Sequence, residues 1–236
     1  MKSCRKKDLN VDMRAIVNDG AATLLSQAYR DPSARMSLIL GTGMNAAVYL
    51  PVSIMEPDKF GDRPDSWHAA AKHVVVNTEL SMFGKRVLPV TKWDEELNKK
   101  HRLPDFQPLE YLVTGRYIGE IVRLILVEAI ETTGLFDGQI PDNFDEPYTF
   151  DTRIVAAFES DDTPTLSTAC GVFIKAHRLR SQPRLSELRL IQTIAKLVSK
   201  RAEVYLATAI HALWSLRTVS EAVSYTHLTL PTNREV

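Results

Sequence analysis

Apolar and polar positions divide this chain into recognisable elements. Apolar residues run up to Val17, Asn18-Asp19-Gly20 interrupts them, and a helical apolar pattern starts at Ala21. The runs MSLILGT (Met36–Thr42) and AAVYLPV (Ala46–Val52) flank a glycine-containing turn and read as the two strands of a hairpin. A third, β-branched run, HVVVNTEL (His73–Leu80), reads as another strand. The Pro-, Asp- and Gly-rich stretch Met55–Trp67 between them reads as a loop. From Leu109 to Thr133, Leu112, Ile118, Ile121, Val122, Ile125 and Ala129 recur at three- and four-residue spacing. That spacing predicts one long helix, with Gly134 at its exit. Thr152–Pro183 holds short helical pieces. Ser186–Leu216 is the longest predicted helix, with Leu188, Ile191, Ala195, Val198, Ala202, Leu206, Ala209 and Leu213 on one stripe and Ser186 as a candidate cap. There is no internal repeat and no low-complexity linker, so the pattern predicts one α/β domain.

Composition acts mainly by exclusion. Lys plus Arg and Asp plus Glu each number 29, so the chain has no polyanion footprint and nucleic acid is a poor candidate partner. A hydrophobic share of 44% and a charged share of 25% are ordinary for a globular protein. Cys4 and Cys170 are too few and too far apart for a disulfide framework or a CxxC metal site. That usage suits a reducing, cytoplasmic compartment. No apolar run reaches the roughly 18 residues of a membrane span. The start, MKSCRKKDLNVDMR, is basic but lacks the apolar core of a secretory signal, and reads as a chain that begins inside a domain.

Several polar residues have two readings. Asp19, between a predicted strand and a predicted helix, is either an N-cap or a base at a strand end. The GTGMN segment suits a hairpin turn. With Gly41 and Gly43 exposing backbone N–H groups and Thr42 adding a hydroxyl, it also suits a phosphate cradle. Asn45 either shapes that turn or presents its amide to a sugar hydroxyl. Glu79 ends a strand, and Glu110 opens a helix at the end where a carboxylate is favoured. Taken singly, each glutamate fits a solvated or capping role better than a ligand role.

Taken in order, these segments resemble the hexokinase family. Its members carry Asn-Asp-Thr-x-Gly-Thr-Leu, Gly-Thr-Gly-x-Asn-Ala, Asn-x-Glu-Trp/Tyr-Gly-x-Phe, Leu-Pro-x-Thr-x-Tyr-Asp and a block ending Gly-Glu-x-x-Arg. Here they stand as NDGAATL, GTGMNAAVY, NTELSMFG, LPVTKWD and LEYLVTGRYIGEIVR, and the resemblance spans roughly Val11–Arg217. It implies the actin-like, ribonuclease H-like ATPase fold, with residues 1–222 matching only the large C-terminal lobe. It also implies a transferase that phosphorylates the 6-hydroxyl of a hexose from ATP, with Mg2+ carried by the nucleotide. By position, Asp19 matches the catalytic base. Asn18, Asn45, Glu79 and Glu110 match sugar ligands, and Gly41, Thr42 and Gly43 match a phosphate loop facing ATP.

The chain departs from that pattern at Gly20, where the family has Thr, at Leu80-Ser81, where it has an aromatic residue and Gly, and at PDFQPLE, where the Gly before Glu110 is lost. The family's first phosphate loop, its small-lobe sugar segment and its adenosine segment have no counterpart here. These departures keep two other expectations open: an N-acetylglucosamine kinase, or a regulatory hexokinase-like protein that binds sugar without turnover. Val223–Thr232 resembles the translation of a sequencing-library transposon end, so 223–236 is expected to be a non-native tail without packed contacts.

Overall fold

The computed structural model describes residue 7 and residues 16–222. They fall into two compact units. One comprises the described residues through Leu38, Ala46–Thr78 and the described residues from Leu216 on; the other comprises Ile39–Asn45 and Glu79–Ser215. The expected tail lies outside the described residues.

In the first unit, helix α1 (Asp19–Arg30) begins two residues earlier than its apolar pattern suggests. Asn18, not Asp19, is the N-cap: its backbone is extended and its side-chain oxygen accepts the Gly20 N–H at 2.8 Å. Asn caps as well as Asp, and this leaves Asp19 in the first turn, where the helix dipole favours negative charge. The strand expected to end at Val17 lies largely outside the described residues; Ile16 and Val17 themselves are exposed and in no strand.

Strands β1 (Met36–Leu40), β2 (Met44–Pro51) and β3 (His73–Asn77) form one sheet in that order. β2 and β3 are antiparallel, with Ala47 opposite Asn77 and Pro51 opposite His73. The central strand is buried almost continuously rather than alternately, with Ala46, Ala47 and Val48 wholly inaccessible. Ser37 ties the sheet to α1 by donating its hydroxyl to the Gly20 carbonyl at 2.8 Å. The stretch read as a loop up to Trp67 already contains the start of a short helix, α2 (Asp65–Ala70).

The second unit is largely helical: α3 (Lys92–Lys100), α4 (Pro108–Val113), α5 (Gly115–Thr133), α6 (Thr152–Ser160), α7 (Ser167–Ala176) and α8 (Leu185–Ala222). The last residues of α8 belong to the first unit. The single helix predicted over Leu109–Thr133 is two. Thr114 is extended, at φ −93° and ψ 154°, and caps both. Its N–H and hydroxyl both donate to the Glu110 carbonyl, closing α4 while β-branched Thr and then Gly115 interrupt helical backbone. Gly134, left-handed at φ 72°, ends α5 as expected.

The core of this unit is built around Phe144, Phe150, Phe158 and Phe173, packed with Ile121, Leu126, Ile154 and Ile191. The Gly-Glu-x-x-Arg motif proves architectural. A Cβ on Gly119 would stand 2.1 Å from the Phe150 carbonyl oxygen, so only glycine allows this approach. Buried Glu120 and Arg123 form a two-bond ion pair at 2.6 and 2.8 Å. Arg123 donates on to the Phe144 carbonyl, and Glu120 accepts the Tyr148 N–H, so each partner is also bonded outside the pair. At α3, Thr91 and Asp94 form a capping box, and Asp94 takes two bonds from Arg201 of α8 at 2.7 and 2.8 Å.

Candidate functional site

Three segments of the second unit converge. The β1–β2 turn is closed by the Gly41 N–H donating to the Gly43 carbonyl at 2.9 Å. Gly41 and Thr42 are exposed there. Immediately after it, the Met44 N–H donates to Glu110 Oε2 at 3.0 Å in a buried contact 66 residues apart in sequence. A Cβ on Gly43 would stand 2.8 Å from that same oxygen. Turn and carboxylate are thus in direct contact.

Glu110 lies in the first turn of α4 and is 7% exposed. Pro108 starts that helix with its φ preset, at the position where a missing N–H costs nothing. The charge of Glu110 reaches two phenols of its unit. Burial, reinforced by Glu110, raises Tyr117 to about 12; burial foremost, with Glu110 and Asp105 adding to it against a Gln107 hydrogen bond, also raises Tyr111.

The third segment carries Glu79. β3 stops at Asn77, and Glu79 sits two residues beyond in left-handed backbone at φ 50°, exposed, leading a one-turn 3₁₀ helix over Leu80–Met82. Ser81 in that turn is 1% exposed and accepts a hydrogen bond from the Gln107 side chain at 3.3 Å. Gln107 is the N-cap position of α4, so the Glu79 segment and the Glu110 helix are joined at their starts. Asn45, half-buried, follows Met44 on the same unit. Neither Gln107 nor the Met44 amide was evident in sequence. The first lacks a distinctive spacing, and a backbone donor has no residue signature.

Asn18 and Asp19 belong to the first unit. Both are exposed, and the Asp19 carboxylate shares the Gly20 N–H with Asn18, at 2.8 Å each. A cavity of about 250 Å³ beside α4, lined by Leu88, Val90, Pro108, Tyr111 and Leu112 among others, contains none of the predicted site residues. No helix among the described residues is long and apolar enough to cross a membrane.

Residues 35–228 match the family model described as hexokinase. The chain is similar to hexokinase-2 of Candida albicans, 32% identical over 219 residues that make up 92% of this chain and 44% of that protein. It is similar to hexokinase-1 of Saccharomyces cerevisiae, 32% identical over 201 residues, 84% of this chain and 40% of that one. Among solved structures, a hexokinase from Schistosoma mansoni complexed with glucose matches with a TM-score of 0.78 at 30% identity, covering 92% of this chain and 47% of its own. The chain therefore spans less than half the length of these relatives. The α/β, actin-like ATPase fold expected from the motifs is the fold of these structures.

Proposed function

This chain belongs to the hexokinase family, and from that premise we propose that its parent protein transfers the γ-phosphoryl group of Mg-ATP to the 6-hydroxyl of glucose or a related hexose. The residues 1–222 then serve as the large C-terminal lobe. The observation that carries this reading is the contact between the Gly-Thr-Gly turn and Glu110, which sets a phosphate-cradling backbone directly beside a buried carboxylate.

In this reading Glu79 and Glu110 accept hydrogen bonds from neighbouring sugar hydroxyls, and Asn18 and Asn45 supply amides. Charge-assisted bonds of this kind are stronger than neutral ones. They also give specificity, because a sugar lacking the hydroxyl leaves a buried carboxylate oxygen unpaired at a cost of about 1–3 kcal/mol. Gly41, Thr42 and Gly43 face the γ-phosphate; the Gly41 N–H closes the turn, and the Thr42 and Gly43 N–H groups with the Thr42 hydroxyl are offered to the charge on its oxygens. Asp19 takes the proton of the 6-hydroxyl. A carboxylate is a weak base, but the proton moves late, as the oxygen becomes bonded to phosphorus. Phosphoryl transfer asks for alignment and charge stabilisation more than for covalent help, and fixed polar groups supply both.

The test is ATP-dependent phosphate transfer by the natural full-length protein across a panel of glucose, mannose, fructose and N-acetylglucosamine. Hexose 6-phosphate formation is the expected result. Exclusive use of N-acetylglucosamine would move the substrate to the 2-acetamido sugars, a shift favoured by Leu80-Ser81, both buried, in place of an aromatic residue and glycine. Sugar binding without any turnover would make the protein a regulatory relative.

A further inference from the structure

We propose that the backbone at the tip of the β1–β2 turn is a positioning element for the hexose carboxylate: the Met44 amide fixes one oxygen of Glu110, and Gly43 leaves the room this needs. The proposal rests on the reading of Glu110 as a hexose ligand. A glutamate has three rotatable side-chain bonds, and freezing them at the moment of binding weakens a ligand contact. Here the side chain is anchored beforehand. Oε2 accepts the Met44 N–H at 3.0 Å in a buried setting, and Oε1 is the oxygen left for a sugar hydroxyl. Anchor and turn are consecutive in the chain, so the groups that face phosphate and the group that faces sugar are held in one register.

A backbone amide cannot be removed without disturbing the strand, but Gly43 gives access to it. A Cβ there would stand 2.8 Å from Glu110 Oε2, 3.5 Å from its Cδ and 3.7 Å from Oε1. All three nearest atoms belong to the carboxylate end of one flexible side chain. Gly43 is also outside the left-handed region, so alanine adds no backbone strain. Gly43→Ala therefore pushes the carboxylate off its anchor and leaves the fold in place.

The experiment uses the natural full-length protein and measures glucose affinity by titration calorimetry, with thermal unfolding alongside. Gly43→Ala is expected to weaken glucose binding about tenfold, the loss of one well-placed charge-assisted bond, with a melting temperature lowered only by the few degrees that follow when the buried Met44 N–H loses its partner. In a Glu110→Asp background, whose shorter carboxylate clears the added methyl, Gly43→Ala should change affinity by less than about threefold, the non-additivity of residues acting through one contact. An unchanged affinity in the first case, or an equal loss in both backgrounds, overturns the proposal. Amide hydrogen exchange at Met44 supplies an independent reading. Protection should fall in Glu110→Ala, and retained protection overturns the anchor whatever the sugar data show. If Glu110→Gln leaves glucose affinity intact, the ligand reading fails and the positioning role fails with it, whereas the Met44 exchange result still reports whether the anchor exists.

Discussion

His177 is 1% exposed and ringed by Phe144, Phe150 and Phe173. Its Nδ1 lies 3.1 Å from the Asp142 carbonyl oxygen, which can only accept, so Nδ1 carries the proton of the neutral ring. Burial foremost, and Arg123 with it, hold the imidazole below its ordinary pKa, against the opposing pull of the Asp142 and Thr149 carbonyls. The unfolded chain then binds a proton more readily than the folded one. The contribution of His177 to stability is complete above about pH 6.5 and is lost progressively as the pH falls through the depressed folded value. Thermal unfolding between about pH 8 and about pH 5 should show a falling melting temperature, and His177→Gln should flatten that slope. At Asp19 the same scale separates a cap from a base. Asn18 already caps α1, so Asp19→Asn should leave the melting temperature nearly unchanged. In the full-length protein it should lower turnover at least about 10²-fold while changing sugar affinity much less. Near-wild-type turnover would remove Asp19 from the proposed mechanism. Sequence showed the carboxylates themselves; it did not show that Asn18, one residue earlier, does the capping, because Asn and Asp are equivalent caps and their order decides nothing.

Elements were legible where one physical signal dominated. The hairpin followed from apolar runs around Gly-Thr-Gly, and the stripe through Leu188, Ile191, Ala195 and Val198 gave α8. The split at Thr114 was hidden because apolar spacing runs straight across it, and only the backbone turns aside. α3 went unread in the sequence: it is mostly charged, with Trp93 and Leu97 as its apolar anchors, so it has no periodicity, and the Thr91-x-x-Asp94 capping box came to light only in the structure. Two helical glycines test how closely elements pack. Gly119 of α5 faces the Phe150 carbonyl, whereas a Cβ on Gly171 of α7 meets nothing within 4 Å. Gly119→Ala should therefore destabilise by roughly 3 kcal/mol through backbone displacement. Gly171→Ala should stabilise by about 1 kcal/mol, the ordinary helix preference for alanine. Urea unfolding of the two variants reads both, and equal effects would show that the α5 contact can relax.

At the scale of the whole molecule, the described residues divide into two compact units, with Asn18 and Asp19 in one and Gly41–Gly43, Asn45, Glu79 and Glu110 in the other. Sequence order alone gave no hint of that division, since Ile39–Asn45 leaves its own strands to cluster with residues far downstream. The motifs of the first phosphate loop and the adenosine segment are not in these 236 residues. The chain by itself should therefore form no glucose 6-phosphate from ATP while the full-length protein does, and a coupled enzymatic assay of both checks it. The contact at Gly119 also has a genetic consequence for the molecule as a whole. Every amino acid one base change away from a glycine codon carries a Cβ, so no missense mutation at codon 119 can preserve the approach of α5 to Phe150. Codon 171, with open space around it, is under no such restraint. A saturation library selected for growth on hexose should be strongly depleted of substitutions at the first codon, alanine least, and keep many at the second, though neither glycine touches the sugar site proposed above.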